Sequence, residues 1–421
     1  MTDTIFALSS GRPPAAIGVV RVSGPGAIDA ARALAGTLPA PRRAGLRALK
    51  DEEGRALDRA LLLVFPGPAS ATGEDLVELH LHGGRAVVVA VEAALARQGL
   101  RQAEPGEFTR RALVNGRIDL AEAEGLADLL AAETEAQRVA AVGTAEGLVS
   151  RMVRGWSDRL GALSAEIEAA LDFSDEQDVT VDPGQVREAV AVLREEMVAA
   201  LDQPSVERLR DGVRVVLTGP PNAGKSTLLN LLTQREAAIV SPIAGTTRDV
   251  IEAPVGRGGV AYLILDTAGL VDRTEDRIEA IGVERARVAA QAADVVLWLG
   301  DDPPGRDALW VWARADESGR AAPPPGVDVV LSRERPETVE RLWSRIGERA
   351  QGLLPALDRP ALNARARGHV AEAIDALALD RDPLILAEEL RQARVALARV
   401  TGEDATEAML DALFGRFCIG K

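Results

Sequence analysis

The chain of 421 residues carries a formal net charge of −15, with 47% hydrophobic, 27% charged and 3% aromatic residues. This length predicts roughly two to four domains with sizeable cores. So acidic a chain has no global attraction for nucleic acid, so any RNA role needs local basic patches or a basic partner, and so few aromatics argue against a base-stacking platform. One cysteine, Cys418, excludes an internal disulfide and suits a reducing compartment. There is no signal-like N-terminus and no apolar run near the ~20 residues of a membrane span, so a cytoplasmic protein without membrane contact is expected.

Strand-like segments come first. Residues 17–24 (IGVVRVSG), 60–67 (ALLLVFPG) and 75–84 (DLVELHLHGG) are the clearest, the last alternating polar and apolar residues. A helix-like run over 85–99 ends on glycine. Residues 1–118 therefore read as an α+β domain. From 119 to 211 the chain turns helical, with Ala, Leu and Glu at three- and four-residue spacing and an acidic loop at 172–184. Residues 353–421 are helical again and alike in character. The simplest architecture is one all-α helical domain that receives an α/β domain, residues 212–352, as an insertion.

The inserted region opens on the most informative stretch. Residues 212–226 read GVRVVLTGPPNAGKS. A β-branched strand runs into Gly219-x-x-x-x-Gly224-Lys225-Ser226, and the apolar run STLLNLLT then opens a helix. This is the order a phosphate cradle requires. Backbone N–H groups of Asn222, Ala223, Gly224 and Thr227 lie where they meet the anion. Lys225 reaches the outer phosphates, and the Ser226 hydroxyl suits Mg²⁺. Next comes Gly245-Thr246-Thr247-Arg248-Asp249, whose threonines suit the metal and γ-phosphate. Then VAYLILDTAG ends in Asp266-Thr267-Ala268-Gly269. An aspartate at a strand tip holds the metal's water shell and Gly269 N–H meets the γ-phosphate, which favours a Ras-like GTPase over a general P-loop ATPase. The residue after this motif, Leu270, cannot orient water. Glu275, Asp276, Glu279 and Glu284 follow as alternatives. Guanine selection calls for N-K-x-D, and this chain has Ala313-Arg314-Ala315-Asp316. Asp316 is expected to read guanine, with weaker base binding than the standard pattern. LSRE at 331–334 takes the place of the usual supporting serine-alanine motif.

The whole chain resembles the tRNA-modifying GTPase family MnmE, also called TrmE. The resemblance rests on DTIFALSSGRPPAAIGVVRVSGPGA near the start, PGEFTRRALVNGRIDLAEAEGLADLL at 105–130, PNAGKSTLLN, REAAIVSPIAGTTRDV, DTAGL and the terminal FCIGK at 417–421. It implies a potassium-dependent GTPase that acts with a flavin-dependent MnmG-type partner. The pair installs an aminomethyl or carboxymethylaminomethyl group at C5 of the wobble uridine of certain tRNAs, with carbon from a reduced folate (formyl- or methylene-tetrahydrofolate). It also implies a homodimer formed through the folate-binding N-terminal domain. By position, it puts folate contacts at Arg21, Glu78, Arg117, where the family commonly has lysine, and Lys421. It puts K⁺ at Asn222, Ser241, Ile243 and Thr246, and Mg²⁺ at Ser226 and Thr247. Glu279 would orient the attacking water, and Cys418 is a candidate for covalent chemistry near the folate. Ser241, Thr246, Thr247, Asp266, Thr267, Ala268 and Gly269 complete the GTP contacts. On the residues alone, Arg21 and Glu78 are strand-face charges and Cys418 a small hydrophobe near a helix end. His80 and His82 share a strand face, but no third ligand is near.

The alternative in a different class is a regulatory GTPase switch on RNA or the ribosome, without modification chemistry. A folate titration separates the two.

Overall fold

The computed structural model describes residues 3–172, 182–233, 237–238, 251–266, 293–305, 307–357, 359–379 and 382–420. They fall into two compact units. One comprises Met1–Ala127, Ala145–Val153 and Ala398–Lys421; the other comprises Asp128–Thr144 and Arg154–Leu397.

The first unit is built on a six-stranded sheet. Its strands are β1 (Ile5–Leu8), β2 (Ile17–Ser23), β3 (Gly45–Lys50), β4 (Ala56–Phe65), β5 (Leu76–His82) and β6 (Arg101–Gln102), in the order β3-β4-β5-β2-β1-β6. Strand alternation sorts the residues onto two faces. Val20, Val22, Leu62, Val77, Leu79 and Leu81 turn to the face covered by α1 (Ala27–Ala35) and α2 (Arg85–Arg97), where Ala31, Leu34, Val91 and Leu95 close the core. Arg21 and Glu78 fall on the opposite face. There α3 (Glu107–Val114) packs Phe108 against Ile5 and Ala7.

The helical stretch that follows is α4 (Leu120–Ala131), α5 (Glu135–Ala145), α6 (Leu148–Asp172), α7 (Pro183–Leu201) and the short α8 (Glu207–Asp211). The sequence pattern reads as continuous through 119–142, yet α4 and α5 are separate helices. Gln137 Oε1 accepts the backbone N–H groups of Glu133 and Thr134, each at 2.9 Å, and Thr134 Oγ1 accepts Gln137 N–H at 3.4 Å. This reciprocal capping box starts a new helix inside an unbroken apolar rhythm.

The second sheet has seven strands: β7 (Val213–Thr218), β8 (Ala237–Ala238), β9 (Ile251–Arg257), β10 (Val260–Asp266), β11 (Val295–Trp298), β12 (Leu309–Trp312) and β13 (Val329–Val330). Their order is β13-β12-β11-β7-β10-β9-β8, parallel from β13 to β10 and antiparallel beyond. Among the described residues two helices share its core. Leu228, Leu229 and Leu232 come from α9 (Lys225–Thr233), and Leu342, Trp343 and Ile346 from α10 (Pro336–Gln351). Parallel neighbours are usually joined through a helix, but residues 313–328, between β12 and β13, form turns instead.

The chain ends in α11 (Ala364–Ala376), α12 (Pro383–Thr401) and α13 (Glu407–Phe414). Segments on either side of the second sheet are tied together. Val206 N–H donates to Leu362 O at 3.4 Å, and Arg367 donates to Leu201 O at 2.5 Å and Gln203 O at 2.8 Å. In the first unit α13 packs Leu410, Phe414 and Phe417 against Leu120 and Ala123. Among the described residues no helix is long and apolar enough to cross a membrane.

Candidate functional site

The phosphate-cradle sequence folds as strand, loop and helix. β7 is buried along most of its length and delivers the chain to Gly219, which adopts φ +144° and where a Cβ would in addition stand 3.2 Å from Leu299 backbone. Asn222 and Gly224 also take left-handed φ, +61° and +97°. These turns fold the loop tightly ahead of α9, and the Ala223 N–H donates back to Pro220 O at 3.3 Å. Lys225 opens that helix, largely buried, and its Nζ donates to Gly219 O at 3.0 Å and Pro220 O at 2.9 Å. Burial lowers its pKa, against the opposing pull of Asp266. Ala223 packs on the core, whereas Thr227 is exposed.

β10 lies beside β7 in parallel register, with Asp266 opposite Leu217. Asp266 is fully buried, and the Ser226 hydroxyl donates to its Oδ2 at 2.8 Å. A hydroxyl and a carboxylate meet at the rim of the cradle. Both are hard oxygen donors, a set that fits Mg²⁺. Among the described residues no group of three or more His, Cys, Asp or Glu side chains forms a metal site.

The segment expected to read the base comes from β12 and the loop after it. Ala313 is buried and offers no polar side-chain atom. Arg314, at φ +63°, donates through Nη1 to Asn222 O at 2.9 Å and pairs with Glu317 through Nε at 2.8 Å. It therefore straps this loop to the phosphate loop, a link the sequence reading did not foresee. Asp316 is held by Arg333, whose backbone N–H meets Oδ1 at 3.1 Å and whose Nε meets Oδ2 at 3.0 Å. That pairing was missed as well. Its signal was an arginine inside the LSRE that stands for serine-alanine.

The second candidate cluster lies in the first unit. Arg21 and Glu78 are direct cross-strand neighbours, joined through Nη2 at 2.8 Å and Nε at 3.2 Å to Glu78 Oε1. The Arg21 guanidinium stands 5.7 Å from the centre of the Phe108 ring, within cation–π range. Burial pushes the Glu78 carboxyl up, but Arg21, with help from His80, outweighs it and holds the group below its ordinary value. His80 Nε2 lies 3.2 Å from Glu78 Oε2, and His82 Nδ1 lies 2.7 Å from Asp58 Oδ1. Each histidine thus has a carboxylate partner. Arg117 sits exposed in the turn after α3, its N–H closing on Ala112 O at 2.8 Å and its Cγ beside Gly73. Cys418 is exposed. Its neighbour Ile419 bridges to Pro105, and Gly420 lies against Leu8 O. Ser241, Ile243, Thr246, Thr247, Thr267, Ala268, Gly269, Leu270, Glu275, Asp276, Glu279, Glu284 and Lys421 lie outside the described residues.

The chain matches known proteins along its whole length. The model of the GTP-binding protein TrmE N-terminus matches residues 4–117, and that of the MnmE helical domain matches residues 120–418. A tRNA modification GTPase MnmE from Erythrobacter litoralis is 56% identical over 424 residues, covering 100% of both chains. The proteins of the same name from Rhizorhabdus wittichii and Novosphingobium aromaticivorans are 56% and 52% identical, covering 100% of this chain and 97% and 100% of their own. With relatives more than half identical from end to end and two family models meeting near residue 118, the chain belongs to the MnmE family of tRNA modification GTPases.

Proposed function

We propose that this protein hydrolyses GTP to drive modification of the wobble uridine of certain tRNAs, working with a flavin-dependent MnmG-type partner and a reduced folate. The observation that carries the reading is the cradle itself. Lys225, the Ser226–Asp266 pair and the Arg314 strap to Asn222 O converge around one phosphate loop, in a chain that belongs to this family. Lys225 binds the outer phosphates, and the loop N–H groups neutralise charge on them. Ser226, with Thr247, holds Mg²⁺. K⁺ is held by Asn222, Ser241, Ile243 and Thr246. Glu279 orients the water in place of Leu270, and Thr267, Ala268 and Gly269 close on the γ-phosphate.

The folate is assigned to Arg21, Glu78, Arg117 and Lys421. The chemistry of the set supports this. A carboxylate accepts hydrogen bonds from a pterin ring, and guanidinium groups suit the carboxylates of a glutamate tail. Cys418 is assigned to the same region on the position of its tail beside β1. We further assign residues 1–118 to a folate-binding and dimerising domain, 119–211 and 353–421 to the helical domain, and 212–352 to the inserted GTPase domain of a cytoplasmic homodimer.

The test is GTP hydrolysis by the full chain in KCl against NaCl at equal ionic strength. Faster turnover in K⁺ is expected, with Glu279→Ala losing most of it. Equal rates in the two salts would remove the potassium assignment. A chain that binds GTP but no folate fits the regulatory switch instead.

A further inference from the structure

We propose that Arg333 is a specificity-determining residue: it competes with the nucleotide base for Asp316 and thereby compresses the preference of this site for guanine. The proposal rests on the reading of Asp316 as the residue that accepts the guanine edge.

Guanine presents two adjacent N–H donors, at N1 and the exocyclic N2. A carboxylate takes both, one on each oxygen. In this chain each oxygen already accepts one bond from Arg333. The Arg333 backbone N–H occupies Oδ1 and its guanidinium Nε occupies Oδ2, at 3.1 and 3.0 Å. The Asp316 side chain is only 4% exposed, whereas that of Arg333 is 59% exposed. The carboxylate is therefore fixed, and the arginine is the partner that yields. Arg333, through its backbone N–H first, also holds Asp316 below the ordinary carboxylate range. No other cation substitutes for it on this segment. Arg314 is committed to Asn222 O and Glu317, and Ala313 contributes no polar group.

Hypoxanthine lacks the exocyclic amine and asks for one oxygen only, and Oδ1, which meets just the Arg333 backbone N–H, keeps a lone pair for its N1–H. The guanidinium on Oδ2 stands where the second bond of guanine forms, so it is a heavier handicap for guanine than for hypoxanthine. An exposed ion pair shifts an equilibrium by up to about fivefold, which sets the size of the effect.

The experiment is equilibrium binding of GDP and of inosine diphosphate to the full chain and to Arg333→Ala, Arg333→Lys and Asp316→Ala. Arg333→Ala is expected to tighten GDP about two- to fivefold, to leave inosine diphosphate nearly unchanged, and so to widen the ratio between them. Arg333→Lys, which keeps the charge without the fork, falls between. In an Asp316→Ala background Arg333→Ala has no effect on either nucleotide. Weaker or unchanged GDP binding by Arg333→Ala, with an unaltered thermal melt, overturns the proposal, as does an equal gain for both nucleotides. If Asp316→Ala alone leaves GDP binding intact, it is the underlying reading of Asp316 that fails.

Discussion

Arg111 is a buried cation among three carboxylates. Its side chain is completely buried, and it pairs with Asp3 at 2.9 Å, Glu107 at 3.0 Å and Glu74 at 3.1 Å. Arg101 shares two of these carboxylates, reaching Asp3 at 2.7 Å and Glu107 at 2.6 Å. The Arg101 hydrogen bond holds Asp3 below its ordinary value. Burial pushes Glu107 up, but Arg101, the Glu104 backbone N–H and Arg111 together more than reverse it. Removing Arg111 takes the charged partner from Glu74 and leaves Asp3 and Glu107 to Arg101 alone, so Arg111→Leu should cost about 3 kcal/mol at neutral pH. The sign with pH follows from the depressed values. Such carboxylates add stability above their unfolded pKa of about 4, and lose it as pH falls through the lower folded values. The gap between wild type and Arg111→Leu should therefore narrow below about pH 4, as read by denaturant unfolding across pH. A gap that stays constant would show the arginine acting by packing alone. Arginines in FTRRALVNGR carry little local sign of which is buried; Glu107 is a neighbour at i−4, but the other two partners come from residues 3 and 74, far away in sequence. The phosphate loop differs, because its glycines, Lys225 and Ser226 are contiguous and their roles follow from spacing. The Asp316–Arg333 pair sits between these cases, its motif position visible in sequence but its contact set by where β13 ends.

Among the elements, α3 and α13 meet closely enough to demand a glycine. Gly106 precedes α3 at φ +70°, and a Cβ there would stand 2.6 Å from Phe414 O. Gly36, after α1, has the same φ of +70° but nothing within 4 Å. The two separate strain from crowding. Gly36→Ala should cost about 1 kcal/mol, for left-handed backbone alone. Gly106→Ala should cost more, roughly 2–4 kcal/mol, because backbone has to move and the Leu410–Phe414–Phe417 cluster with it. Thermal unfolding of the two variants checks this, and equal losses would mean that α13 shifts freely. At this scale the sequence was legible wherever an element carried its own rhythm or punctuation. β2, β5, α2 and β7 stand where alternation and glycine stops place them. The α4–α5 break was obscured because a Thr134–Gln137 capping box interrupts the backbone without interrupting the apolar spacing. The two-residue strands β6, β8 and β13 are too short to carry a period, and they exist only through their neighbours.

For the whole molecule, the decisive question is how an α/β unit is set into a helical chain. Residues entering and leaving it are held side by side: Val206 N–H meets Leu362 O, Glu207 accepts the Ala364 N–H at 2.6 Å, and Arg367 clamps the end of α7. α11 is further fixed to α7 through Arg194 and Ile374 O at 3.4 Å. None of these contacts uses the second sheet, whose core is drawn from β7 to β13, α9 and α10. Ends that already touch need little chain to join them, and shortening a loop between fixed ends lowers its closure entropy. Replacing residues 212–352 with a flexible linker of about four residues should therefore leave a folded, helix-rich protein with a cooperative melt and no GTP binding. Circular dichroism and calorimetry read the outcome. Loss of the cooperative transition would mean that α7 and α11 depend on the inserted sheet for their pairing, and that the nucleotide unit is part of the scaffold rather than a guest in it.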